Sequence, residues 1–164
     1  MKKIIVIGCP GSGKTTFAKK LENLTRIPIY HLDLIWHKPD KTNVTREEFD
    51  RRLGEILSED EWIIDGNYRR TLERRVAASD TVFLFDLPTE VCVAGALSRI
   101  GKRREDLPWC ETEADPDFIR QIEGFKENEL HEILSLLSRY SEGRLIYKFS
   151  SRDEADGYLR AFET

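Results

Sequence analysis

Residues 3–15 read Lys3-Ile-Ile-Val-Ile-Gly8-Cys-Pro-Gly-Ser-Gly-Lys14-Thr15, and this stretch decides the fold. A β-branched run that stops at a glycine is the pattern of a strand buried on both faces in a parallel sheet. Beyond it, Phe17, Leu21 and Leu24 recur at spacings of four and three, which predicts an amphipathic helix directly after the loop. Gly8 to Thr15 also matches GxxxxGK(S/T), a pattern that chance supplies in roughly one chain of this length in a hundred. It falls where its mechanism needs it, between strand and helix, so that backbone N–H groups and the helix N-terminus can face an anion. The reading is a nucleotide site for ATP. Gly8, Gly11 and Gly13 give the loop its freedom, and Pro10, Ser12 and Thr16 complete the binding set. Lys14 reaches the β- and γ-phosphates and Thr15 places its hydroxyl on Mg²⁺. Cys9 reads as a small packed residue, with a thiol activated by the helix N-terminus as the alternative.

Working outward, Pro28–Leu32, Trp62–Asp65, Thr81–Asp86 and Arg144–Phe149 read as further strands. Helices are predicted over about 46–58, across the arginine-rich stretch after Asp65, over about 89–105, along a continuous stripe from Phe118 to Tyr140, and over 153–162. Asp106–Asp117, with two prolines and no periodicity, is the candidate mobile segment. Strands alternating with helices define an α/β fold with a parallel sheet, and 164 residues suit one domain over 1–164. The stripe at 118–140 is explained equally well by packing on the chain's own sheet, so it implies no oligomer.

The longest apolar runs, Ile4–Ile7 and Val82–Phe85, are four residues each, against roughly 20 for a membrane span. The apolar stretch after Lys2 and Lys3 is also shorter than the roughly 7–15 residues of a signal core, so the expected location is the cytoplasm. Cys9, Cys92 and Cys110 form neither a CxxC nor a zinc-type spacing. A net charge of −4 argues against direct nucleic-acid binding as the main role. No NKxD-type segment points to a guanine-specific switch, and Asp153-Glu-Ala-Asp156 is a coincidental helicase-like tetrad in a terminal helix.

Phosphoryl transfer needs positive charge around the moving group. Arginines cluster at 69–75 (Arg69, Arg70, Arg74, Arg75) and at 99–104 (Arg99, Arg103, Arg104 with Lys102), both after strand C-terminal ends, where ligands of open α/β sheets bind. Arg99 and Arg103, at helical spacing i and i+4, can point together. Asp33, at the end of the second strand, is placed to take a proton from an attacking hydroxyl, whereas an anionic phosphate acceptor would be repelled by it. Hydrogen bonding to a base or capping of a turn are its other readings. His31, Trp36 and His37 flank it, and Asp86 reads as a turn or cap residue.

Trp62-Ile-Ile-Asp-Gly-Asn-Tyr-Arg69, with His31-Leu-Asp33 and Asp80-Thr-Val-Phe-Leu-Phe-Asp-Leu-Pro88, resembles the P-loop kinases often labelled DNA topology modulation or adenylate-kinase-related proteins. The resemblance runs from Met1 to about residue 125 and more loosely beyond. It implies a three-layer fold with a five-stranded parallel sheet ordered 2-3-1-4-5, an acceptor-binding segment at about 33–60 and a short lid at about 100–117. It also implies that Asp65 orders Mg²⁺ through water and that Arg69 holds the acceptor's phosphate, and it places Arg152 where related folds pack the ATP base, to stack on the adenine or to stand as a surface arginine. Two departures stand out. The family arginine seven residues after the strand-four proline is Gly95 here, with Arg99 as candidate replacement, and Cys110 alone excludes a zinc-bearing lid. The expected function is a Mg²⁺- and ATP-dependent kinase of the nucleoside or nucleotide kinase type, transferring the γ-phosphate to a small-molecule acceptor. The alternatives are a slow NTPase acting through a macromolecular partner and a degenerate homologue, for which Gly95 is the main argument.

Overall fold

The computed structural model describes residues 1–163. In chain order the elements are β1 (Lys3–Gly8), α1 (Lys14–Thr25), β2 (Ile29–His31), α2 (Leu32–Trp36), α3 (Arg46–Leu57), β3 (Trp62–Asp65), α4 (Arg69–Ala78), β4 (Thr81–Phe85), α5 (Thr89–Ser98), α6 (Pro116–Glu123), α7 (His131–Arg139), β5 (Leu145–Phe149) and α8 (Arg152–Phe162). The strands form one parallel sheet ordered β2-β3-β1-β4-β5, as the resemblance implies. β1 lies at its centre because Ile4, Ile5, Val6 and Ile7 have apolar neighbours on both faces, and all four are wholly buried. The register places Val6 beside Asp65 and Gly8 beside Phe85, so the loop after β1 opens into the crevice between the ends of β3 and β4.

Helix α1 is fastened over the sheet by one aromatic side chain. Phe17 meets the rings of Phe83, Phe85 and Phe149 edge to face, with centroids 4.9, 5.3 and 5.4 Å away. This is the favoured geometry for ring quadrupoles, and it ties the helix to β4 and β5.

Three predicted elements are corrected. The second strand ends at His31, and Leu32–Trp36 form the short α2, so Asp33 lies in a first helical turn rather than at a strand end. Helix α5 stops at Ser98 rather than near 105: Arg99 caps it, Gly101 turns with φ at 77°, and residues 99–115 form neither helix nor strand. The predicted continuous helix over 118–140 is interrupted between α6 and α7 by a wider π-type turn at Lys126–Leu130. It begins after Gly124, where an added Cβ would lie 2.6 Å from the Asn128 amide. The apolar stripe is kept, with Ile122, Phe125, Leu130, Ile133 and Leu137 buried, which is why a periodicity argument sees one helix. Among the described residues no helix is long and apolar enough to cross a membrane.

Truncating the central ring removes its contacts with Phe83, Phe85, Phe149 and, at 6.4 Å, Tyr158, and leaves a cavity. Phe17→Ala is expected to cost about 3–5 kcal/mol, read as a lowered denaturation midpoint at unchanged slope.

Candidate active site

Between Gly8 and Lys14 the chain is shaped from outside. The Gly8 N–H donates to Asn67 Oδ1 at 2.9 Å, and the Asn67 amide donates back to the Gly8 carbonyl at 2.7 Å, so one side chain from the β3 exit holds both polar groups at the end of β1. The Ser12 N–H donates to the Cys9 carbonyl at 3.2 Å. Arg152, at the start of α8, donates to the Gly11 carbonyl at 2.9 Å and the Ser12 carbonyl at 3.3 Å. Gly13 caps α1 at φ 96°, a left-handed conformation that favours glycine, with no side-chain cap and no acidic residue in the first turn. The helix's first N–H groups and the positive end of its dipole are thereby open to an anion.

These contacts revise the binding set. Gly11, Gly13, Lys14, Thr15, Thr16, Arg99, Arg103 and Arg152 share a cavity of about 530 Å³. Gly8 and Ser12 do not line it: the Gly8 N–H is taken by Asn67, and Ser12 is wholly buried. Pro10 faces the neighbouring cavity. The Arg152 guanidinium donates to loop carbonyls, which fixes it at the wall of the first cavity. The activated-thiol reading of Cys9 also falls. A hydrogen bond with Cys92 and burial together push its thiol well above the usual range.

Gly95 acquires a reason. It lies on α5 against the loop, where an added Cβ would lie 2.1 Å from the Gly11 carbonyl oxygen and 2.7 Å from Arg152 Nη2. No side chain, least of all an arginine, fits without displacing backbone. Arg99, one turn further along, instead reaches both this cavity and the next. Its Nε is buried without a hydrogen-bond partner, and burial together with the neighbouring Arg104 lowers its pKa.

Thr15 donates its hydroxyl to Asp65 Oδ2 at 2.8 Å, and His31 Nδ1 lies 2.9 Å from the same oxygen. Asp65 is 4% exposed and its Oδ1 is buried with no partner. An unfilled acceptor beside a hydroxyl at a phosphate loop suits Mg²⁺, which takes one or two protein oxygens and completes its shell with phosphate and water. Among the described residues no group of three or more His, Cys, Asp or Glu could hold a metal unaided.

The arginine cluster at 69–75 does not converge on the cavities as a set. Arg70 pairs with Asp50 on α3 at 2.7 and 3.0 Å, and Arg74 donates to the Asp50 carbonyl at 3.4 Å. Arg75 is wholly buried and donates to the carbonyls of Gly66 (2.9 Å), Asn67 and Tyr68 (3.0 Å) and to the Thr71 hydroxyl (3.2 Å). Burial brings its pKa down to about 9, which still leaves it charged at neutral pH. Its work is to hold the 66–68 turn that carries Asn67 and Tyr68. Arg69 alone of the cluster reaches the second cavity, and it also pairs with Glu132 on α7. In the other cluster, Arg103 is exposed on a non-helical segment, so its meeting with Arg99 does not arise from helical spacing.

Lys14, Asp33, Arg69 and Arg99 meet in that second cavity of about 430 Å³, beside the first and sharing Lys14 and Arg99 with it. Tyr68, at φ 37°, donates its hydroxyl to Asp33 Oδ1 at 2.6 Å and so fixes the carboxylate. Over the cavity runs the 99–115 segment, held by Arg104, which donates to both oxygens of Asp106 (3.0 and 2.6 Å) and to Glu111 (3.1 Å). Trp109 at its tip packs against His37 at 5.1 Å, with Lys41 Nζ 5.9 Å from its ring. Sequence reasoning gave no role to Asn67, Tyr68 or Asp106 and set His31 aside. Asn67 and Tyr68 were visible only as part of the quoted segment, and Asp106 stood in a charge-rich run with no distinguishing mark.

A five-stranded parallel sheet ordered 2-3-1-4-5, flanked by helices and opening through a GxxxxGK(S/T) loop onto the first of them, is the P-loop kinase fold. Solved structures that share it include a gluconokinase from Sinorhizobium meliloti 1021 (TM-score 0.55, 14% identity, covering 98% of this chain and 89% of that one). Shikimate kinases from Bacteroides thetaiotaomicron (TM-score 0.55, 15% identity, 98% and 95% covered) and from Acinetobacter baumannii in complex with shikimate (0.58, 16%, 99% and 93%) are similar to the same extent. In sequence, the adenylate kinases of Thermotoga petrophila and Thermotoga maritima are each 29% identical over 80 residues. That stretch spans 49% of this chain and 36% of each adenylate kinase. No family model matches the chain.

Gly95→Ala is expected to weaken Mg·ATP binding about tenfold or more by displacing the Gly11 carbonyl and Arg152, read by calorimetric titration against an unchanged far-ultraviolet spectrum. The 99–115 segment has a pH signature. Burial opposes the Asp106 charge, but the hydrogen bond and charge of Arg104 outweigh it and hold the carboxyl below its ordinary value of 3.8. The stabilisation is therefore fully present above that value and is lost as pH falls through the depressed one. Asp106→Asn is expected to lower stability at neutral pH and to flatten the acid limb of the stability–pH curve.

Proposed function

We propose that this chain is an ATP-dependent phosphotransferase acting on the hydroxyl group of a small molecule. The observation that carries the reading is the pair of adjoining cavities: one lined by the phosphate loop, the other by Asp33 and Arg69, with Lys14 and Arg99 in both. A phosphoryl group passing from one cavity to the other moves past the cations that line both, Lys14, Arg99 and Arg104, which is where charge develops in transfer.

In this reading the open N-terminus of α1 and Lys14 hold the triphosphate. Asp33, oriented by Tyr68, accepts the proton as the acceptor oxygen bonds to the γ-phosphorus and the bond to the β,γ-bridging oxygen breaks, releasing ADP. Arg99, its Nε unsatisfied, supplies a hydrogen bond and charge to the group in flight, while Arg69 orients the acceptor. Mg²⁺, held by Thr15 and, through water, by Asp65, supplies charge neutralisation on the triphosphate when bound. The 99–115 segment excludes water from the transfer, which favours transfer over hydrolysis. The kinase resemblance and the shared fold of the sugar-acid and shikimate kinases support the class of reaction. The Asp33 carboxylate favours a neutral hydroxyl over a monophosphate at the point of attack.

A coupled assay for ADP release, run against hydroxylated metabolites, nucleosides and nucleoside monophosphates, tests it. Acceptor-dependent turnover is expected with one hydroxyl compound, lost by about 10³-fold or more in Lys14→Ala and by about 10²–10⁴-fold in kcat, at little change in the KM for ATP, in Asp33→Asn. Turnover with a monophosphate that survives Asp33→Asn would remove the base from the mechanism. Hydrolysis independent of every acceptor would leave the partner-regulated NTPase.

A further inference from the structure

We propose that Cys9 and Cys92 form a redox-sensitive pair, which a small hydroperoxide converts to a disulfide that ties the phosphate loop to α5 and lowers its affinity for nucleotide. The proposal depends on the loop and not on the acceptor, so it holds for a kinase and for a slow NTPase alike.

Cys9 is the second residue of the loop, and Cys92 lies in the first turn of α5. Both are buried, and their thiols share a hydrogen bond. The two backbones also meet close by: the Cβ that Gly11 lacks would lie 2.0 Å from the Cys92 carbonyl oxygen. Cys9 donates its own N–H to the Phe85 carbonyl at 3.2 Å and accepts from the Ser12 N–H at 3.2 Å. The third cysteine, Cys110, is exposed on the 99–115 segment.

The two thiols are unequal. The hydrogen bond from Cys9, with the charges of Arg152, Lys14 and Lys126, outweighs burial and holds the Cys92 thiol below its ordinary value. The same bond and burial push the Cys9 thiol up. Cys92 is therefore the sulfur that ionises first, and the thiolate is the form that attacks a peroxide. Its sulfur bonds to one peroxide oxygen, the O–O bond breaks, and the other oxygen leaves with a proton as an alcohol or water. Cys92 is then a sulfenic acid. Cys9 gives up its proton and bonds to that sulfur, while the S–O bond breaks and water departs. The pair of thiols has lost two electrons and the peroxide has gained them. Because both sulfurs are buried, the oxidant reaches them through local opening of the loop, which bound nucleotide opposes.

Sulfurs in hydrogen-bond contact have to close by roughly 1–2 Å to reach the disulfide bond length of about 2.05 Å. Gly11 and Gly95 leave no room for α5 to approach, so the loop yields at Cys9, and the segment that Cys9 anchors through Ser12 shifts with it. The N–H groups that meet an anion move as well. By linkage, nucleotide favours the reduced pair by the same factor that the disulfide weakens binding.

The test uses the full chain as wild type, Cys92→Ser and Cys92→Ala, treated with hydrogen peroxide with and without Mg·ATP and then re-reduced with dithiothreitol. Non-reducing peptide mapping reads the cross-link, and calorimetry reads Mg·ATP binding. The expected result is a reversible bond between Cys9 and Cys92 in the nucleotide-free wild type and a Kd for Mg·ATP raised about tenfold or more. In a glutathione redox buffer, saturating Mg·ATP is expected to raise the midpoint potential of the pair by about 30 mV or more, the equivalent of that factor. Both variants are expected to keep the affinity of the reduced wild type within about twofold and to ignore peroxide. Oxidation confined to Cys110, or oxidation of Cys92 without a bond to Cys9, would overturn the proposal, and so would a disulfide that leaves the Kd for Mg·ATP unchanged. A reduced wild type that binds no Mg·ATP overturns instead the nucleotide reading of the loop, and the cross-link still decides whether the pair exists.

Discussion

A loop that is to bind an anion through its own N–H groups has to leave most of them unpaired, so its internal hydrogen bond, from the Ser12 N–H to the Cys9 carbonyl, cannot hold it alone. In this protein the restraint comes from its neighbours. Asn67 holds both backbone groups of Gly8, Arg152 donates to the Gly11 and Ser12 carbonyls, and α5 closes against Gly11 through Gly95. These supports come from the exit of β3, from α5 and from the start of α8, and they meet only because the strand order places β3 and β4 on either side of β1. The arrangement of sheet and site is thus one constraint seen from two sides.

Two arginines, Arg75 buried and Arg99 half-buried, show how the same residue type is put to opposite uses. Arg75 is surrounded by three carbonyls and a hydroxyl, so its charge is distributed over fixed dipoles and its role is to hold the turn bearing Asn67 and Tyr68. Arg99 faces the two adjoining cavities with its Nε unsatisfied, and its surroundings include another cation. A buried polar group without a partner costs free energy in the empty protein. An anionic ligand that met this Nε would recover that cost.

The segment from 99 to 115 follows similar logic. No periodic pattern organises it. Its order comes from Arg104 bridging Asp106 and Glu111, and from Trp109 resting on His37 at the end of α2, so the segment leans on α2 rather than on the sheet. The helix predicted to run to about 105 stops at Ser98 because these contacts, together with the left-handed turn at Gly101, outcompete continued helical hydrogen bonding.

The sequence by itself determined the parallel sheet, the phosphate loop and the residue types of the site. Those signals are local: β-branched runs, a helical period and an eight-residue spacing depend on neighbours a few positions away. The resemblance at Trp62–Arg69 supplied the strand order in addition. What tertiary structure decided was the partnering of charges. Nothing in the order Arg69, Arg70, Arg74, Arg75 says that one reaches the cavity, two turn to Asp50 and one is wholly buried, because each fate is set by an acceptor brought near by folding rather than by the chain beside it. The same holds at Gly95, which read as a missing arginine until its distance to the Gly11 carbonyl showed a position with no space for a side chain.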